Sequence, residues 1–171
     1  MTLLSLEQRL VEGNPQSPVR LVVYEDLQCG DCRNLRRLLD EVVLPRYAAS
    51  IAIEHRDFPL PKHAWAWPAA VAARHFGRQS VEAGLNFRRY ILENLRVITF
   101  ESLKEHLEQF GGAPIADVEL HRLVDADYQE GLARGVEKTP TVFVNGVPFV
   151  ERFPVDEFTA AIESAIAERQ Q

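Results

Sequence analysis

The apolar positions in the first third of the chain change period twice. Residues 19–24 (Val-Arg-Leu-Val-Val-Tyr) form a short, β-branched run behind Asn14-Pro15 and Pro18, which predicts a buried strand. Leu35, Leu38, Leu39, Val42 and Val43 then recur at helical spacing as far as Pro45, where a helix is expected to stop. Residues 51–58 alternate and end at Pro59 and Pro61, a second strand. Strand, helix, strand at this spacing is a βαβ unit, parallel and right-handed. Ahead of it, Leu3, Leu6, Leu10 and Val11 predict a short amphipathic helix.

The pattern then turns helical. An alanine-rich stretch over residues 64–76 tolerates Pro68 only near its beginning. Val81, Leu85, Leu92 and Leu95 mark a second helix, and Leu103, Leu107 and Phe110 a third that stops at Gly111-Gly112. Asp117 is placed to cap a fourth, with Leu120, Leu123, Val124, Tyr128 and Leu132 apolar. Residues 141–144 and 147–150 read as strands joined by Asn145-Gly146, a strong hairpin signal, with Pro148 suited to an edge. Val155, Phe158, Ala161, Ile162, Ala165 and Ile166 predict a closing helix. The expected fold is α/β, ordered βαβ, helical insert, ββα. Residues 1–61 and 136–171 would form one domain around a helical insertion at 62–135.

Composition narrows the choice of partners. A formal charge of −6 supplies no basic footprint, so neither nucleic acid nor an anionic membrane is an expected partner. No apolar run approaches the roughly 20 residues of a membrane-spanning helix. The start lacks the basic and apolar regions of a signal peptide, which suggests a cytoplasmic protein as the sequence stands, or a periplasmic or secreted one if a leader has been removed.

The chemistry points to the two cysteines of the chain, Cys29 and Cys32, in Cys29-Gly30-Asp31-Cys32. Three residues span about one helical turn, close enough for two sulfurs to bond. So small a ring removes little entropy from the unfolded chain, so it adds little stability by that route. A structural zinc site would need more ligands, and the five histidines lack ligand spacing, so no metal is expected. The pair falls where the first strand hands over to a helix N-terminus. Free N–H groups there favour an anion, and the Cys29 thiolate is the natural one. Cys-x-x-Cys in this context reads as a redox motif.

Taken together, three blocks resemble the thioredoxin superfamily, and within it the DsbA-like thiol–disulfide oxidoreductases with a helical insertion. They are Tyr24-Glu25-Asp26-Leu27-Gln28 leading into the cysteine motif, His55-Arg56-Asp57-Phe58-Pro59-Leu60, and residues 135–146 around Thr139-Pro140-Thr141. The resemblance implies a thioredoxin fold, an exposed attacking Cys29 and a buried resolving Cys32. It also implies a cis Thr139–Pro140 bond facing the disulfide. Proline offers no N–H to compete with an arriving sulfur, and Thr139 could pair with an extended substrate backbone. Cysteine-containing proteins would be the substrates. The cysteine pair itself would carry the electrons, with no other cofactor and with glutathione as a candidate electron partner.

Two positions depart from the family pattern. The carboxylate usual six residues before the first cysteine is Val23 here, leaving Glu25 or Asp26 to assist Cys32, and strand alternation puts only one on a given face. Asp31 between the cysteines should raise the Cys29 pKa against the helix dipole and make the protein less oxidising than its Pro-His relatives. His63 and Trp65 are candidates for a substrate groove, although such aromatics also anchor helices to a core. Two other functions stay open: a redox-sensing, chaperone-like peptide-binding module, and a glutathione-dependent small-molecule isomerase, against which Cys32 argues.

Overall fold

The computed structural model describes residues 9–171. Its sheet has five strands, β1 (Val11–Gly13), β2 (Arg20–Glu25), β3 (Ala52–Asp57), β4 (Thr141–Val144) and β5 (Val147–Val150), in the order β1-β3-β2-β4-β5. β2 and β3 are parallel, as the βαβ reading requires, and the other neighbours are antiparallel. Helices α1 (Gly30–Leu38) and α2 (Leu44–Tyr47) connect β2 to β3, while α3 (Ala66–Gln79), α4 (Val81–Glu93), α5 (Leu103–Glu108) and α6 (Val118–Ala133) lie between β3 and β4. The closing helix α7 spans Val155–Arg169.

Two expectations need correction. Val11, read as helical, begins β1, where Val11 pairs with Glu54 of β3. Gly13 ends that strand at φ +78, and a Cβ there would sit 2.4 Å from the Ile51 carbonyl oxygen, so the close approach requires glycine. The rest of the expected N-terminal helix, Leu3 and Leu6, lies outside the described residues. Nor does Pro45 end its helix. The helix runs on, widening into a π stretch at Leu39–Val43, and Pro45 follows directly after that wider stretch, in α2.

Other signals act where they were expected. Asp117 Oδ1 accepts from the Leu120 N–H at 3.0 Å and caps α6. Asn145 and Gly146 both take positive φ, 49° and 81°, as a tight hairpin turn requires, and Pro148 lies on the edge strand β5.

Packing divides at the sheet. On one face Leu21, Val23, Ile53, Val142 and Val144 meet Leu35 of α1, Leu39 and Val43 of the π stretch, and Phe158 and Ile162 of α7. Each fully buried side chain of this kind contributes about 1.5–3 kcal/mol. On the other face Tyr24 and Phe58 pack so closely on α6 that a Cβ at Gly131 would meet the Phe58 ring at 2.7 Å. A third cluster joins Leu27 and Cys32 to Trp65, Phe76, Phe87, Ile91, Leu103 and Leu107 of the helical stretch. Cys32 is thus sealed between α1 and these helices.

Candidate active site

The site begins where β2 ends. After Glu25 the chain turns, the Cys29 N–H donates to the Asp26 carbonyl at 3.1 Å, and Cys29 becomes the extended N-cap of α1. Helical geometry then carries Cys32 inward to complete burial, while Cys29 stays partly exposed. Both thiols are free.

Their electrostatics diverge. A hydrogen bond from Cys32, which outweighs the opposing effect of burial, lowers the Cys29 pKa to about 6, helped by the Cys32 and Asp31 backbone N–H groups. These N–H groups belong to the open first turn of α1. Burial pushes Cys32 in the opposite direction, well above an ordinary thiol, and the hydrogen bond to Cys29 and the charge of Cys29 add to the rise. The Asp26 N–H donates to Cys32 Sγ at 3.4 Å and offsets part of it.

Opposite the cysteines stands the loop before β4. The Thr139–Pro140 peptide bond is cis, and the Cys29 thiol donates to the Thr139 carbonyl at 3.5 Å. Thr139 is itself buried. The Glu151 N–H, from the far end of the hairpin, donates to the Pro140 carbonyl at 2.7 Å and ties that loop to β5. A groove of about 570 Å³ opens along Cys29, with Leu60, Lys62 and His63 on one wall and Glu137, Lys138 and Thr139 on the other.

The remaining sequence candidates are sorted by this geometry. Asp31 Oδ1 accepts from Arg152 Nε at 2.9 Å, so the carboxylate expected to oppose the thiolate has a cation of its own. Asp26 is buried and accepts from the Gln28 N–H at 2.6 Å and the Leu60 N–H at 2.7 Å, with His63 Nδ1 also at 2.7 Å. It therefore holds the loop and the groove histidine together. Glu25, on the other side of the strand alternation, turns beneath α1 and adds its negative charge to the factors that raise Cys32. Trp65 corrects an expectation: it does not line the groove but is buried at 3% exposure in the helical cluster, its N–H donating to Gln28 Oε1 at 2.8 Å.

Sequence reasoning missed the charged seam next to the pair and gave His55 no role of its own. His55 is fully buried, with Nδ1 2.9 Å from Glu25 Oε1 and Nε2 2.5 Å from Glu12 Oε2. Arg88 joins Glu25 at 2.8 Å to Asp57 at 2.9 Å, and Arg74 joins Asp57 to Asp127. Among the described residues no group of three or more His, Cys, Asp or Glu side chains is arranged to hold a metal ion.

These features define a thiol–disulfide oxidoreductase-like fold with two cysteines close together. A family model described as Thioredoxin matches residues 5–164, and the chain belongs to the thioredoxin family. Its fold is similar to those of solved DsbA and related structures. It superposes on alpha-DsbA1 of Wolbachia pipientis with a TM-score of 0.78 at 18% identity, covering 97% of this chain and 94% of that one. For a periplasmic thioredoxin-like protein of Salmonella enterica serovar Typhimurium the values are 0.81, 21%, 96% and 94%. For the compact form of Proteus mirabilis ScsC they are 0.84, 13%, 96% and 76%. At such identities the likeness is one of fold. A sequence relative, the Na(+)/H(+) antiporter NhaA 1 of Mycolicibacterium gilvum (strain PYR-GCK), is 30% identical over 156 residues, 82% of this chain but only 24% of the antiporter. The chain thus spans about a quarter of that relative's length.

Proposed function

We propose that the protein exchanges disulfides with cysteine-containing proteins through Cys29 and Cys32. One observation carries this reading: a partly exposed Cys29 with a pKa of about 6 stands beside a buried Cys32 and opens onto a groove. At neutral pH most of Cys29 is thiolate. It attacks one sulfur of a substrate disulfide, forming a mixed disulfide and releasing the first substrate thiolate. Cys32 loses its proton and attacks Cys29 Sγ, closing the Cys29–Cys32 disulfide and releasing the second substrate thiolate. Two electrons pass to the substrate, whose thiolates take up two protons. Thr139 and Pro140 form the wall against which an extended substrate strand lies, and His63 borders its path.

The direction of exchange follows from thiolate stability. A cysteine near 6 falls between the values of about 7 for thioredoxin and about 3.5 for the strong oxidant DsbA. That poise suits isomerisation or reduction better than net oxidation, with glutathione as the small-molecule electron partner. A cytoplasmic location is part of the proposal, to be checked by cell fractionation; no described helix is long and apolar enough to cross a membrane. Reduction of insulin disulfides tests the core of the reading. Cys29→Ser should abolish turnover, and Cys32→Ser should accumulate a mixed disulfide with the substrate. Turnover retained by both variants would shift the weight to a peptide-binding module or a glutathione-dependent isomerase.

A further inference from the structure

Beneath α1 three buried side chains form a row across adjacent strands: Glu12 on β1, His55 on β3 and Glu25 on β2. Glu25 and His55 lie on the same sheet face as Val23 and Ile53, the face that α1 covers. Above the row, Cys32 and Arg36 are four residues apart on α1 and so share its buried side. Arg36 reaches down to both Glu12 oxygens at 2.8 and 3.0 Å. Cys32 has no such ionic partner, and Glu25 acts on it through its charge.

The sign of the charge in this row depends on one residue. Arg36 answers Glu12 and Asp40, Arg89 bonds Asp40 and lies 3.8 Å from Glu12, and Arg88 divides itself between Glu25 and Asp57. Arginines keep their protons, so they supply fixed charge. Imidazole is the member of the row whose ordinary titration range lies near neutrality. Burial disfavours its cation, but Glu25 and Glu12 outweigh burial and raise the pKa of His55. The other charged groups around Cys32 are accounted for. Cys29 lies on its own helix, the Asp26 carboxylate is turned toward His63, and Asp57, Arg74 and Asp127 continue the seam under α3, α4 and α6.

We propose that protonated His55 is a positioning residue for the resolving thiol: clamped between Glu12 and Glu25, it cancels carboxylate charge that would otherwise oppose an anion at Cys32. The row takes no part in the bond changes. It sets the electrostatic cost of the Cys32 thiolate that must form before the mixed disulfide can be resolved. This inference rests on the reading of Cys32 as the resolving cysteine and goes beyond it by assigning His55, Glu25 and Glu12 to that step.

Titration of Cys32 alone tests it. In a Cys29→Ser background Cys32 is the one remaining thiol, and its ultraviolet thiolate absorbance is followed against pH. Adding His55→Gln should raise the midpoint by about one pH unit, a tenfold loss of thiolate, and adding Glu25→Gln should lower it. Because either variant could fail to fold, the intact protein supplies a second measurement. At neutral pH, where Cys32 still holds its proton, the His55 ring followed by NMR should be the imidazolium, with both ring nitrogens protonated. A neutral His55 ring at neutral pH, or folded variants that leave Cys32 unmoved, overturn the proposal. Insulin reduction by the unmodified protein is independent of these titrations, so failure here would leave the exchange reading standing.

Discussion

The groove beside Cys29 and the seam beside Cys32 are both rich in charge, yet solvent gives those charges different worth. Lys138 and Glu151 at the groove, and Arg152 paired with Asp31 at its edge, have side chains 61%, 42% and 85% exposed, and their pairs face water. Glu12, Glu25, Asp57, Arg36, Arg74 and Arg88 in the seam are all buried, each with at least one ionic partner. Exposed pairs gain little because water screens them and because holding two mobile side chains costs entropy. Buried pairs are costly to break, since the abandoned charge has no solvent to turn to. Charge in the groove is therefore free to serve recognition, whereas charge in the seam is structural and must stay balanced. The two cysteines, one turn apart, face these two regions, and their proton affinities separate chiefly because Cys29 receives the hydrogen bond from Cys32 while Cys32 is buried.

The largest expected effect breaks the seam. Arg88→Met keeps much of the side-chain volume but leaves Glu25 and Asp57 without their shared guanidinium. Urea denaturation should show a loss of about 3–5 kcal/mol, the usual penalty for an uncompensated buried charge. A loss under about 1 kcal/mol would mean that the seam is no more demanding than a surface pair. The smallest effect belongs to the groove. Arg152→Ala removes the partner of Asp31, whose pair is open to solvent. It should leave the urea midpoint unchanged and shift the pH profile of Cys29 alkylation only slightly upward, and less still in high salt. A large shift would show that Arg152 shields the thiolate more than its exposure allows.

Much of this molecule can be read along the chain because many of its devices are local. The Cys-x-x-Cys spacing, the Asp117 cap and the Asn145-Gly146 turn each act within a few residues. β1 was hidden because three residues cannot establish a period, and Leu10-Val11 also suits a helix. Trp65 was left between groove and core because a tryptophan next to a motif looks the same from the sequence in either place. The seam escaped for a different reason: its partners are distant, as with Arg88 and Glu25 or Arg74 and Asp127. A signal was nonetheless present. Glu54-His55-Arg56-Asp57 is a run of polar residues in a strand with neighbours on both sides, and every residue of that strand is buried. Such a strand requires ionic partners elsewhere, and the arginines of the helical stretch supply them.

The central claim is that one thiol is poised as an anion while its neighbour is kept protonated, and thiolate absorbance of the fully reduced protein against pH tests it most directly. Cys29 should lose its proton as pH rises through about 6, and the absorbance of a second thiolate should appear only well above 9. Two thiols ionising together in the ordinary range near 8.5 would contradict the account.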